Sequence, residues 1–328
     1  MIGPKRYMQV HAKIGADTKD ATAVVKRFSA VDQQPELSRR HLGFALFFVC
    51  SIAVFWMPLK RLIGFSLTHD YASHIILVLP TSAYLIYLKR DRLVSAARAG
   101  LLAGGLLFLI GTILLWLAKT ASYAAVRENE LSVVILAIVV IWIAGFVFCY
   151  GTHAFALGRF PLLFLLLLVP IPERVVEEII FLLQVGSATV AYWLLRLSGV
   201  AVFKQGFILQ LPSLDIEVAK QCSGIRSSLA LLLTALLVGE FTLRSGWRKA
   251  LLLLSIVPIL ILKNGVRITA VSLLSIFVNR GFLHGWLHTS GGILFYLLSL
   301  VMLIPIFSAL RKSEDKNDAA HKPLHSGT

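Results

Sequence analysis

The sequence predicts an all-α polytopic membrane protein, a bundle of about eight transmembrane helices interrupted by one short extended segment ahead of Cys222. Three observations lead there. Of the 328 residues, 57% are hydrophobic and only 15% are charged, with a mean hydropathy of +0.80, well outside the usage of water-soluble domains. Apolar runs recur along the chain at about the 18 residues a helix needs to cross a ~30 Å hydrocarbon core. Lysine and arginine gather between those runs and in the tails.

In order, the apolar spans are about 43–59, 72–88, 100–118, 131–150, 154–170, 223–243, 250–279 and 290–309, the seventh being either long or broken near Asn264-Gly265. Between the fifth and sixth lies a stretch of different character. It opens on Pro170-Ile171-Pro172, carries Glu173, Glu177 and Glu178, and turns apolar to Val200, so that 178–200 reads as either a span or an interfacial helix. Residues 206–221 then alternate apolar and polar at β-branched and aromatic positions, which predicts extended chain. That chain should lie outside the hydrocarbon, where strand backbone facing lipid would go unpaired. The organisation expected is a basic N-terminal tail over 1–41, a transmembrane domain over 42–310 with its motif-bearing core at about 165–300, and a polar C-terminal tail over 311–328.

The net charge of +15 does not indicate a nucleic-acid partner, because the cations form no stripe interleaved with aromatic residues. Orientation in a lipid bilayer accounts for them better. With the N-terminus inside and 178–200 lying on the outer face, twenty Lys and Arg fall in cytoplasmic tails and loops and eleven in outer stretches, as the positive-inside rule requires. Cys222, Arg267 and His288 then share one depth, the outer ends of their spans. The first 40 residues hold eight Lys or Arg and no apolar run, so a cleavable signal peptide is not expected.

The three cysteines are too few and too scattered for a disulfide framework or a CxxC metal site. Cys50 and Cys149 lie inside apolar spans and read as small hydrophobes. Cys222 stands in EVAKQCSGIRSS, directly before Ser223-Gly224 and a long apolar helix. Unsatisfied N–H groups and the helix dipole favour a thiolate at such a position, and the thiolate is the nucleophilic form.

A second polar segment, LKNGVRITAVSLLS over 262–275, sets Lys263, Asn264 and Arg267 in apolar surroundings. Ionisable groups at membrane depth persist mostly where they face a polar cavity or a partner, which marks Arg267, while Lys263 reads as snorkelling toward the interface. A third segment, FLHGWLHTSGG over 282–292, places His284 and His288 ahead of the last span. Cysteine, arginine and histidine together supply a nucleophile, a cation and a group that exchanges protons near neutral pH.

Two other patterns are set aside. The i, i+4 pair His284 and His288 has neither an HExxH glutamate nor a third ligand, so no metal or other cofactor is expected. Ser290 beside His288 lacks the GxSG order of an intramembrane serine protease, and the histidine is too near in sequence to serve it.

The three segments, QCSGIRSS at 221–228, NGVR at 264–267 and HTSGG at 288–292, together resemble the exosortase and archaeosortase family of membrane transpeptidases. The likeness extends over the approach to the cysteine, from LVPIPERV through LLRLSGVAV and GFILQLP to IEVAKQ, and more weakly to HDYASHIILVLPTSAYLIYLKRDR at 69–92. It implies Cys222 as nucleophile, Arg267 as a catalytic or oxyanion-orienting cation, His288 as third member, and Arg226, Asn264, Ser223 and Gly224 as supporting residues. It further implies membrane-anchored protein substrates ending in a Pro-Glu-Pro-like motif, a transmembrane helix and a basic cluster, processed on the outer side of the plasma membrane, often alongside exopolysaccharide production. The competing expectation is a non-catalytic polytopic protein, a transporter or an exopolysaccharide assembly factor. An inverted internal repeat would favour the transporter, but the polar segments cluster after residue 150 without counterparts before it.

Overall fold

The computed structural model describes residues 39–120, 129–212, 214–218, 225–279 and 292–320. Almost all of them are helical, as backbone groups surrounded by hydrocarbon demand. Among the described residues, five helices are long and apolar enough to cross a membrane, or six when one bent pair is taken as a single span. The polytopic all-α architecture therefore holds, while the expected count of eight is not confirmed among the described residues.

Prolines explain two of the breaks. Helices α1 (Arg39–Val54) and α2 (Trp56–Thr68) meet at a 73° bend. Pro58, in the first turn of α2, cannot donate to Val54 and its ring displaces that carbonyl. Pro258 acts in the same way in the first turn of α11 (Ile256–Phe277), separating it from α10 (Gly246–Leu254). Of the two readings of the seventh run, long or broken near Asn264-Gly265, the break is absent and α11 continues through that pair.

The chain forms two compact units. The first holds residues through Lys60 and then Leu79–Leu168. It contains α4 (Arg90–Ser95), α5 (Leu101–Thr120), α6 (Glu130–Leu157) and α7 (Arg159–Phe164), with α3 (Ile75–Leu88) passing into it. Helices α5 and α6 lie close along their length, since a Cβ on Gly104 would stand 2.7 Å from Phe148 Cα and one on Gly111 2.6 Å from Ile141. Small residues on one face permit this approach in membranes, where dispersion contacts hold helices together. The fifth apolar run forms no single helix of spanning length: the chain leaves helical geometry at Gly151 (φ +84°), and beyond it come only a short stretch to Leu157, the six residues of α7 and a 3₁₀ extension.

The second unit, Arg61–Val78 with Val169–Thr328, contains every segment the motifs occupy. Helix α8 (Glu173–Leu197) is 25 residues long, which at about 1.5 Å per residue covers a hydrocarbon core. Residues 178–197 are thus part of a helix of spanning length. After it comes a three-stranded antiparallel sheet, β1 (Phe203–Gln205), β2 (Ile208–Leu211) and β3 (Leu214–Glu217), in the order β1-β2-β3. The expected extended segment is there, beginning three residues earlier than the alternation indicated. Gly206, at φ +61°, takes the first position of the two-residue β1–β2 turn, where a type II′ connection needs positive φ. Leu209 and Leu211 point the same way, and with Val218 they pack on Ala188, Ala191 and Leu195 of α8 and Ile268 of α11.

The remaining helices are α9 (Ile225–Thr242), α10, α11 and α12 (Gly292–Ala320). The polar stretch from residue 311 stays helical through Ala320, because Glu314 has a structural task. Its carboxylate accepts from the backbone N–H groups of Arg244 and Ser245 at 3.0 and 2.8 Å, and from Arg248 Nη1 at 3.2 Å. Arg248 Nη2 also donates to the Ser313 carbonyl at 3.1 Å. The side chains of Arg248 and Glu314 are 5% and 7% exposed. Removing one partner of so buried a pair strands the other charge. Arg248→Met should therefore lower unfolding stability by about 3 kcal/mol, read as an earlier melting transition in detergent, whereas exchange of exposed Arg90 should leave that transition unmoved.

Candidate active site

Of the residues singled out from the sequence, Cys222, Ser223, Gly224 and His288 lie outside the described residues, as do His284 and Ser290. Arg226 occupies the first turn of α9, though its side chain is also outside what is described. Asn264 and Arg267 are placed in full on α11.

Along α11, some polar residues bond only to their own helix. Thr269, Ser272 and Ser275 each return their hydroxyl to the carbonyl four residues back, at 2.9, 2.7 and 2.7 Å, the usual way of hiding such a group in a membrane helix. Three others reach across to neighbouring helices. Lys263 Nζ donates to Ser227 Oγ of α9 at 2.8 Å. Asn264 Nδ2 donates to Ser187 Oγ of α8 at 3.1 Å. The Arg267 guanidinium stands 5.7 Å from the centre of the Phe295 ring of α12, within cation–π range.

Lys263 and Asn264 are each 1% exposed and Ser187 is 0% exposed. The snorkelling expected of Lys263 is overturned: its ammonium turns inward to a hydroxyl. Asn264 Oδ1 is buried and accepts no hydrogen bond among the described residues, leaving an acceptor at the level of the motif.

Close backbone approach makes these contacts possible. A Cβ on Gly265 would collide with the Val190 side chain of α8, and one on Gly186 would stand 2.9 Å from Ile261 of α11. The NG of the NGVR segment thus serves packing at its glycine and cross-linking at its asparagine. Sequence reasoning passed over α8 in this role. Gln184 and Ser187 lie i, i+3 in an otherwise apolar run, a spacing that puts both on one helix face and was the available signal. Gln184, 6% exposed, donates from Nε2 to the Val218 carbonyl at 2.7 Å. Val218 N–H in turn donates to the Phe207 carbonyl at 2.9 Å. The chain is thereby fixed to α8 four residues before Cys222.

Ahead of α8, the Tyr71 hydroxyl is held protonated above its usual range, first by burial and then by the Glu173 carboxylate. Tyr71 belongs to a 3₁₀ turn (Asp70–Ala72) that packs on α9 and is pinned by Ser66 Oγ donating to the Ala72 carbonyl at 2.8 Å. The early HDYASH stretch and the PIPE stretch, distant in sequence, are therefore neighbours within the second unit.

Spanning helices, an extended segment leading to a cysteine, and a cation-bearing helix packed beside the one that follows that cysteine define a multi-pass membrane protein with a polar centre in its second unit. The chain belongs to the transmembrane exosortase family, whose sequence signature matches residues 65–305. No curated relative and no solved structure gives a match. The match runs from the end of α2 through the 3₁₀ turn, α3 to α8, the sheet and α9 to α11 into the first half of α12.

The Asn264–Ser187 link gives a direct check on this packing. Ser187→Ala leaves the Asn264 amide without its acceptor and should cost about 1 kcal/mol, in the range of single hydrogen bonds between membrane helices. Gly265→Val should be far worse, because its methyls would drive α8 and α11 apart. Melting curves of the purified variants in detergent order the two.

Proposed function

We propose that this exosortase is a membrane cysteine transpeptidase that cleaves the C-terminal sorting signals of membrane-anchored proteins. The observation that carries the reading is the Lys263–Ser227 bond. It supports a direct apposition of the NGVR helix and the helix that begins three residues after Cys222, so that the first two motifs share one neighbourhood. Family membership supports the rest.

In this mechanism the Cys222 thiolate attacks the scissile carbonyl carbon, forming a C–S bond. Arg267 stabilises the oxyanion as charge develops there. His288 gives a proton to the departing amine as the C–N bond breaks, releasing the signal's own helix and leaving a thioester. An acceptor nucleophile, deprotonated by the same imidazole, then takes the acyl group and returns the thiolate. Asn264, with Oδ1 open, together with Arg226, Ser223 and Gly224, orients these groups. The reaction is assigned to the outer side of the plasma membrane, the side on which an exported substrate presents its signal.

Co-expression with a reporter carrying a Pro-Glu-Pro-type C-terminal signal tests the assignment. Cys222→Ala should abolish processing with normal membrane insertion. Arg267→Ala should reduce it by about 100-fold or more, the cost of losing an oxyanion-stabilising group, and His288→Ala by a comparable factor. Normal processing by Cys222→Ala removes the nucleophile assignment. Release of the acyl-enzyme by hydroxylamine, seen as a hydroxamate product, separates transfer through a thioester from direct hydrolysis.

A further inference from the structure

We propose that Lys263 is a positioning residue for the Cys222 nucleophile, acting through Ser227 to fix the start of α9; the proposal rests on Cys222 being the nucleophile.

Burying an ammonium among membrane helices costs several kcal/mol. Lys263 is nevertheless among the largest fully buried side chains of the protein, at 1% exposure. Among the described residues it forms no ion pair with a carboxylate; Asp91, Glu240 and Glu314 each pair with another cation. Its partner is the Ser227 hydroxyl. An ammonium has three donors, and one neutral hydroxyl is small compensation. A methionine of similar volume would fill the same space without that penalty, so packing alone does not account for a lysine here.

The location supplies the reason. Ser227 is the third residue of α9 and lies five positions after Cys222. Five residues of chain span at most about 18 Å and one helical register of that length only about 7.5 Å. Lys263 is also one turn before Arg267 on α11, so the tether joins the cysteine's helix to the arginine's helix at the level of both motifs. On the upstream side, Gln184 holds Val218. The chain is therefore held by α8 at Val218, four residues before Cys222, and by α11 at Ser227, five residues after it. Misplacement of a reacting group by about 1 Å is enough to cost about 100-fold in rate, which is the effect a loosened α9 start would have.

The test uses the full chain in detergent with the same signal-bearing reporter. Lys263→Met should melt no lower than the parent protein, while its kcat falls at least tenfold and its KM for the reporter is unchanged. Ser227→Ala should lower kcat likewise, and the double variant Lys263→Met/Ser227→Ala should be no slower than the worse single variant. Parental kcat in Lys263→Met, a kcat loss that merely follows a lowered melting temperature, or multiplied losses in the double variant would each overturn the proposal. If Lys263→Met does not fold, Ser227→Ala decides alone, since it leaves the charge in place and removes the hydroxyl to which Lys263 donates. Cys222→Ala measured alongside separates two failures: an inactive Cys222→Ala with a fully active Lys263→Met sinks this inference only, whereas an active Cys222→Ala sinks the nucleophile assignment beneath it.

Discussion

Hydrocarbon leaves no polar group free to find water, and in the second unit that constraint falls on two adjacent residues. Lys263 and Asn264 follow one another on α11, so their side chains leave the helix about 100° apart. One meets Ser227 on α9 and the other meets Ser187 on α8. Two neighbouring residues thus fix α11 against two different helices at one level. The glycine that comes next lets the α8 side close to backbone contact. A sequence of three residues, Lys-Asn-Gly, sets the spacing of three helices, and Arg267 is delivered one turn further on.

The short sheet obeys the same constraint in another form. Extended chain cannot stand in lipid with its backbone unpaired: here the three strands pair with one another, and the alternating Leu209 and Leu211 side chains are spent on α8 and Ile268. Lys204 Nζ on β1 donates to Thr189 Oγ1 at 2.7 Å, so a charged strand residue also finds its partner on α8. Helix α8 is therefore polar where it meets the sheet and α11. That explains the weaker apolar signal of its sequence, which made 178–200 readable as an interfacial helix although the helix is of spanning length.

What the sequence revealed and what it hid divide along one physical line. Period and length are local, so the apolar runs announced the helices and the alternation after Gly206 announced strands. Partners are not local. A break near Asn264-Gly265 was one of two readings of that run because both residues disfavour helix interiors, yet the helix continues through them and the break falls at Ser255, where Pro258 removes a donor. Lys263 looked like a snorkelling lysine because nothing in its own segment shows Ser227, 36 positions away. Gln184 was passed over because a lone glutamine in an apolar run says nothing until the carbonyl it serves is known. The run at 154–170 looked like one spanning helix because composition alone does not register the turn at Gly158 that splits it into pieces too short to cross.

The second motif helix touches both of the helices that follow the other two motifs. Its serines and threonines are turned back on its own carbonyls and have little left to offer other helices. Lys263, Asn264 and Arg267 are the residues that reach out. Lys263 reaches the helix that comes after Cys222, and Arg267 stacks over Phe295, seven residues beyond His288 on the helix that comes after it. Each link is made to the first turn of its partner helix, the end nearest the neighbouring motif. A helix that only filled space would carry apolar residues at those positions at lower cost. Its cations are instead spent at the two helix starts that the cysteine and histidine segments lead into, as expected of an element whose role is to bring two distant stretches of chain to a common register.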